Sequence, residues 1–204
     1  MGNLLYRFRG WILGLMALAL IVIPGAPLDS DLYPSAVCST LLLVTSAILR
    51  IQTRRSIGEH TRGYIHAADT LVTTGVYSRV RHPLYISNTG IALAAIFWHF
   101  GISFTENYST DRNQAYFTAM AFTLAICVFE FILSKMEDRF LQKKFGNQWQ
   151  AWASVTPSFF PKLSKGKSVT GKYVRSFATA FTADKSTWFW LAVIFAAITI
   201  RKTF

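Results

Sequence analysis

The chain has 204 residues, of which 52% are hydrophobic, and it carries 21 Lys and Arg against 10 Asp and Glu. Such a length allows one domain or one helical bundle. A soluble protein this apolar is rarely this basic, whereas a membrane protein buries its apolar residues in lipid and keeps its positive charge on one aqueous side. Nucleic-acid binding is disfavoured, because the basic residues lie between long uncharged segments and not along one soluble face.

Four long segments that are almost free of charged side chains predict membrane spans, because crossing ~30 Å of hydrocarbon takes about 20 helical residues. A fifth segment, which is short unless residues from Phe177 onward join it, is a possible span, an interfacial helix or a re-entrant segment. The spans are predicted at 10–28, 32–49, 83–105 and 113–134, with the possible fifth at 177–200. The predicted fold is therefore an all-α polytopic transmembrane helical bundle that forms a single domain over residues 1–204. Within it, residues 135–175 are expected to form a cytoplasmic amphipathic helix and linker.

The distribution of charge predicts the orientation. Of the 21 basic residues, 18 lie at Arg7 and Arg9, in 50–81 or in 135–185. The positive-inside rule places these regions, the N-terminus and the active site among them, in the cytoplasm. The first segment is expected to be a retained anchor, because Pro24 stands where a signal peptide would need a small residue. The membrane is a bacterial inner membrane or the endoplasmic reticulum.

No metal site is expected, since both cysteines, Cys38 and Cys127, lie inside apolar runs.

The first segment with candidate chemistry precedes the third predicted span. Pro83 suits the first turn of that helix, where its missing N–H costs nothing. Arg79, Arg81 and His82 then lie just before a helix N-terminus, which favours an anionic group. These arginines could also simply anchor the helix against anionic lipid. Lipid anchoring alone does not require His82 and Tyr85, which lie on either side of Pro83.

The second segment begins inside the fourth predicted span. Glu130 lies near the cytoplasmic end of that span, where an ionisable residue is a functional candidate. It shares a helix face with Ser134, Glu137 and Leu141 through spacings of three to four residues. The aromatic residues that follow also fit an interfacial helix. That explanation leaves the neighbouring acids Glu137 and Asp138 unaccounted for.

Together these two segments resemble the isoprenylcysteine carboxyl methyltransferase and phospholipid methyltransferase superfamily. Residues 75–85 (GVYSRVRHPLY) match its Gly-x-Tyr-x-x-x-Arg-His-Pro-x-Tyr signature. Residues 137–141 (EDRFL), with the Phe145-Gly146 pair and the aromatics that follow, are similar to its second block. The match covers roughly residues 70–161.

The resemblance implies S-adenosylmethionine as cofactor, held between the two blocks, and a membrane lipid or lipid-linked acceptor as partner. The residues expected to bind the cofactor are Tyr77, His82, Pro83, Tyr85, Glu137, Asp138 and Leu141. Arg79 or Arg81 could position an acceptor carboxylate by a bidentate contact. Glu130 either faces an acceptor amine or is a structural hydrogen-bonding residue. These three residues, Arg79, Arg81 and Glu130, are the catalytic candidates.

The sequence departs from the family pattern in three places: two concern the acidic pair and the residues before it, and one concerns the C-terminal tail. No Gly-x-Gly precedes the acidic pair, which counts against an amine headgroup and towards carboxyl O-methylation. The pair is Glu-Asp and not Glu-Glu. The chain continues for 43 residues beyond Pro161, enough for an extra helix, a substrate gate or an oligomer contact.

Two other functions stay open. Membrane sterol or steroid reductases share a similar Arg-His-Pro-x-Tyr stretch and an Arg-x-x-x-x-Lys-[Phe/Tyr]-Gly block, which Arg139, Lys144, Phe145 and Gly146 fit. They would use NADPH, but they usually have more spans. A non-catalytic membrane scaffold is the third hypothesis, and it would bind neither cofactor.

Overall fold

A computed structural model describes residues 2–25, 33–57, 70–101, 110–162 and 174–203. These residues form seven α-helices, one short 3-10 helix and no strand, so the predicted all-α class is confirmed. Residues 163–173 of the predicted linker lie outside the described part. The helices are α1 (Gly2–Val22), α2 (Tyr33–Ser56), α3 (Pro83–Phe100), α4 (Thr110–Phe145), α5 (Asn147–Val155), α6 (Phe177–Ala183) and α7 (Lys185–Thr203), with the 3-10 helix at Gly75–Ser78.

Three described helices, α1, α2 and α4, are long and apolar enough to cross a membrane. Helices α6 and α7 meet at a 62° bend and make a fourth crossing if they count as one span. Helix α3, which occupies the third predicted span, has 18 residues and is not among the three. The structure therefore supports an integral membrane protein with three spans, or up to four, and the predicted count of four plus a fifth stays a prediction.

Helix α3 carries polar side chains that bond inside the bundle. The Ser87 hydroxyl donates to the Ser46 carbonyl of α2 at 2.9 Å. Near the other end, Nε2 of His99 lies 3.0 Å from the Ile23 carbonyl, which follows α1. Internal partners of this kind allow polar side chains inside a membrane bundle. Helix α3 is thus the central helix, in contact with α1, α2, α4 and α7.

Gly90 allows α2 and α3 to approach closely. A Cβ atom at this position would collide with the Ser46 hydroxyl. Small residues at such a contact let two helix backbones pack tightly within a membrane.

The C-terminal helices pack along this bundle. Ile198 of α7 is fully buried in an apolar cluster with residues of α1 and α3. Trp98 of α3 donates its indole N–H to the Thr199 hydroxyl at 3.0 Å, and the Lys202 ammonium lies 5.5 Å from the Trp98 ring centroid. Helix α7 therefore runs beside α3, from a start near the end of α2 to the opposite end of the bundle.

Five helix ends meet at one end of the bundle, which we call the site end. They are the starts of α1, α3 and α7 and the ends of α2 and α4, and all five line one cavity. Helix α4 has 36 residues and is thus about 54 Å long. It exceeds the ~30 Å hydrocarbon thickness, so one unbroken helix carries the predicted span and the acidic pair.

Candidate functional site

The segment that precedes α3 is held by main-chain hydrogen bonds to the segment that follows α5. The Arg81 N–H donates to the Pro157 carbonyl at 2.9 Å, and the His82 N–H donates to the Ser158 carbonyl at 3.1 Å. Further along, the Lys162 N–H donates to the Arg79 carbonyl at 3.1 Å. These three bonds form a main-chain junction between the two motif blocks of the sequence.

The start of the first block folds as a tight turn. Gly75 has a φ of 61°, a conformation that favours glycine, and it opens the 3-10 helix. The indole N–H of the buried Trp152 donates to the Tyr77 carbonyl at 3.1 Å. Pro83 occupies the first turn of α3, as predicted. The turn is thereby fixed between α3 and α5.

Asp138 of the second block faces the first block. Its Oδ1 lies 3.1 Å from Nε2 of the buried His82, at an angle outside hydrogen-bonding geometry. Its Oδ2 lies 3.6 Å from Nη2 of Arg81, which also donates to the Ser158 hydroxyl. The Arg81 guanidinium lies 5.4 Å from the Trp149 ring centroid. Asp138 therefore links the two blocks through side chains, beside the main-chain junction.

Glu137 lies on the cavity side of α4, close to two tyrosines. Its carboxylate interacts electrostatically with the hydroxyls of Tyr77 and Tyr85. Burial raises the pKa of Tyr77 well above its ordinary range; Glu137 adds to the rise and Arg54 opposes it. The Tyr77 hydroxyl therefore stays protonated near neutral pH and can donate a hydrogen bond.

A cavity of about 1210 Å³ begins at these residues and extends along the bundle. Its polar part, at the site end, includes Arg81, His82 and Glu137. Its apolar part lies between α1, α3, α4 and α7 and is lined by side chains such as Leu13, Ile96 and Phe195. One continuous space therefore joins a polar pocket to an apolar groove, a combination suited to a polar cofactor and an amphiphilic substrate.

The structure brings most of the predicted site residues to this cavity. Those that line it are Tyr77, Arg81, His82, Tyr85, Glu137 and Leu141. Pro83 and Asp138 are buried beside it, and Arg79 is exposed.

Glu130 does not line the cavity. It is buried, with 2% of its surface exposed, and lies near Asn88 and Arg50. Its carboxylate interacts with the Asn88 side chain and with the charge of Arg50. Of its two predicted roles, this placement favours the structural one.

A buried ionic cluster at the bend between α6 and α7 was not predicted from the sequence. Oδ2 of Asp184 accepts hydrogen bonds from Nε of Arg50 and Nε of Arg54, both at 2.9 Å. Arg50 also donates to the Asn88 side-chain oxygen at 2.6 Å and to the Thr187 hydroxyl at 3.2 Å. The spacing of Arg50 and Arg54, four residues apart at the end of an apolar segment, was the available signal. The cluster fixes α7 as a wall of the cavity.

Two curated proteins are similar to part of this chain. The chain is 37% identical over 125 residues to the cobalt-zinc-cadmium resistance protein CzcN of Cupriavidus metallidurans, covering 59% of this chain and 49% of that protein. It is 34% identical over 119 residues to the nickel-cobalt-cadmium resistance protein NccN of Alcaligenes xylosoxydans xylosoxydans, covering 58% and 49%. The chain thus spans about half the length of the curated relatives it matches.

No solved structure matches the chain. A family model described as phospholipid methyltransferase matches residues 35–148, more than half of the chain and including both motif blocks. The earlier resemblance is thereby confirmed, and the chain belongs to the phospholipid methyltransferase family of integral membrane methyltransferases.

Proposed function

We propose that the protein transfers a methyl group from S-adenosylmethionine to a lipid or lipid-linked acceptor within the membrane, in a reaction most like isoprenylcysteine carboxyl O-methylation. The observation that carries this proposal is the meeting of the two motif blocks at one cavity. His82 and Tyr85 of the first block and Glu137 of the second line its polar part, and the apolar part continues along the membrane helices.

The residues of the polar part fit the groups of S-adenosylmethionine. A carboxylate such as Glu137 can accept hydrogen bonds from ribose hydroxyls or an ammonium, and Tyr77 can donate one. The rings of Tyr85 and Trp152 offer apolar surface. At about 1210 Å³, the cavity exceeds the ~300–1,000 Å³ of common ligand sites. That volume leaves room for a second molecule.

When bound, S-adenosylmethionine supplies an activated methyl group: an acceptor lone pair forms the new bond to carbon while the carbon–sulfur bond breaks and sulfur keeps its electron pair. The protein must therefore bind, orient and exclude water. Glu137, Tyr77 and Tyr85 would bind the cofactor on one side of the polar part. Arg81, fixed by Asp138 and Ser158, can orient an acceptor carboxylate from the other.

A carboxylate acceptor fits the described residues better than an amine. A carboxylate loses no proton on methylation, whereas a protonated amine needs a base. Glu130, one of whose predicted roles is to face an acceptor amine, does not line the cavity. We therefore place phospholipid N-methylation second. Arg81 takes the acceptor-positioning role, since Arg79 is exposed.

The proposed orientation puts the site end in the cytoplasm of a bacterial cell, or of a eukaryotic cell if the membrane is the endoplasmic reticulum. Charge supports this assignment, because Arg54, Arg81, Lys143 and Lys144 belong to helices or segments that end there. S-adenosylmethionine would enter from the aqueous side and the acceptor from the bilayer.

Membranes that contain the protein, incubated with methyl-labelled S-adenosylmethionine, test the proposal directly. We expect the label in an extracted lipid or lipid-linked product, and an alkali-labile label would identify a carboxyl ester. Membranes with the Glu137→Ala variant are the matched control. The absence of any wild-type labelling above this control would refute the proposal for the membrane lipids present.

A comparison of cofactors separates the proposed function from its rivals. Purified protein in nanodiscs should bind S-adenosylmethionine and not NADPH. Arg139 and Lys144, which fit the reductase pattern, are exposed on α4 and do not line the cavity. Binding of NADPH alone would favour the reductase hypothesis, and binding of neither cofactor would favour the scaffold.

Asp138→Asn should weaken binding of S-adenosylmethionine by about tenfold, because it removes the negative charge that faces His82 and Arg81, and a tenfold loss corresponds to about 1.4 kcal/mol. Asp138 acts through His82 and Arg81, so Asp138→Asn should reduce the affinity for S-adenosylmethionine less than Glu137→Ala does. Calorimetric titration in nanodiscs measures both affinities. An Asp138→Asn effect equal to that of Glu137→Ala would contradict this indirect role.

A further inference from the structure

We infer that Arg9 of helix α1 binds the anionic group, a phosphate or a carboxylate, of a membrane lipid whose chains lie along α1. This inference rests on the proposed function in that it names the acceptor as an anionic amphiphile. Helix α1 lies outside the matched residues 35–148, so the family assignment gives it no role.

Arg9 lines the cavity together with Tyr85 and Glu137. Its guanidinium lies 3.8 Å from the Tyr6 ring centroid, and Tyr6 lines the cavity as well. The charge of Arg9 acts on both Tyr85 and Glu130. The Arg9 guanidinium therefore lies in the polar part of the cavity, although α1 and α3 form different walls of that cavity.

Arg9 has no carboxylate within ion-pair distance among the described residues. Of the other arginines that line the cavity, Arg50 and Arg54 contact Asp184 and Arg81 contacts Asp138, whereas Arg7 is exposed. A guanidinium that lines a cavity without a counter-ion can pair there with an anion that enters. Such a planar cation is well suited to bind a phosphate or carboxylate.

The surface of α1 beyond Arg9 is suited to the rest of such a lipid. From Leu13 to Leu20 the helix lines the cavity with apolar side chains and glycine, over about 10 Å of its axis. Leu20 is the fully buried side chain of α1 among the described residues, and it packs in the core with Ile96 and Ile198. The helix is therefore anchored at the end away from the site, and its Arg9 end stands beside the cavity.

The occupant we infer is therefore an anionic lipid, with its charged group at Arg9 and its chains beside Leu13–Leu20. This arrangement brings the polar headgroup next to Tyr85 and His82, where the proposed methyl transfer takes place. An uncharged occupant would leave the positive charge of Arg9 without a partner, and a zwitterionic occupant would bring its own cation into the same polar part.

Spin-labelled lipids in phosphatidylcholine nanodiscs test the inference without any enzymatic readout. Three probes are compared: spin-labelled phosphatidic acid, stearate and phosphatidylcholine. The wild-type protein should immobilise at least one anionic probe in preference to phosphatidylcholine, and Arg9→Gln should reduce that preference by roughly tenfold. A preference for phosphatidic acid alone would identify a phosphate as the ligand, and a preference for stearate alone a carboxylate.

Lys143→Gln is the matched control, because it removes one positive charge from an exposed position near the same end of the bundle. It should keep the preference. The inference is overturned if the wild type shows no preference, if Arg9→Gln keeps it, or if Lys143→Gln loses it equally. Titration of each variant with S-adenosylmethionine separates the two proposals: a wild type that prefers anionic lipid through Arg9 but binds no cofactor would refute only the methyltransferase function.

Discussion

Replacement of Glu137 by alanine should reduce binding of S-adenosylmethionine by at least about thirtyfold while the protein stays folded. Truncating one partner of a buried, hydrogen-bonded charge contact costs about 2–5 kcal/mol, and each 1.4 kcal/mol is a factor of ten. Glu137 is the carboxylate that lines the cavity within the described residues, and it faces Tyr77 and Tyr85. No other described acid occupies the polar part in its place.

Calorimetric titration in nanodiscs measures the loss, and thermal unfolding of the same samples confirms that the fold is intact. Glu137→Gln separates charge from shape: it should recover part of the affinity if hydroxyls of the ligand are bound, and none if an ammonium is bound. Lys143→Ala, at an exposed position one and a half turns further along α4, should bind like the wild type. Unchanged affinity in Glu137→Ala would end the assignment of this residue to the cofactor.

Asp184→Ala should destabilise the protein by about 3–5 kcal/mol, the second large effect we expect. Breaking a buried ion pair by removing one partner leaves an uncompensated buried charge, which is the source of this cost. Here the carboxylate, which is 1% exposed, contacts two guanidinium groups, those of Arg50 and Arg54. Its loss should also release the bend between α6 and α7, because Asp184 connects these helices to α2.

Thermal unfolding in detergent micelles measures this effect. Lys185→Ala changes the exposed neighbour at the same bend and should leave the unfolding temperature almost unchanged. Adding Arg54→Leu to Asp184→Ala removes one of the stranded cations and should restore part of the stability. If Asp184→Ala unfolds at the wild-type temperature, the cluster contributes little and α7 is held by its apolar contacts.

The helices could largely be predicted from hydropathy, whereas their ends could not. Pro83 marks the start of α3 in the sequence and in the structure, because a proline ring suits a first helical turn. Helix α2, by contrast, continues to Ser56, past its predicted end at residue 49. Arg50 and Arg54 signal a membrane boundary in the sequence. They stay helical and buried because Asp184, far along the chain, neutralises them.

The polar part of the site likewise has features that could be predicted from the sequence and features that depend on tertiary packing. The resemblance to the family predicted that Tyr77–Tyr85 and Glu137–Leu141 come together, and both segments line the cavity. It could not distinguish the neighbouring acids, of which Glu137 faces the cavity and Asp138 faces His82. Nor could it show that Arg9 joins them, since α1 reads as a generic apolar helix and its position depends on tertiary packing.

The main-chain junction between the two motif blocks has a consequence for how this site can diverge among relatives. Arg81, His82 and Lys162 donate their backbone N–H groups, and Arg79, Pro157 and Ser158 accept with their carbonyls. Any residue supplies a carbonyl, and any residue except proline supplies an N–H. The side chains of residues 159–161 can therefore change among relatives while the backbone bonds that align the two blocks are kept, whereas Ser158 also holds Arg81 through its hydroxyl.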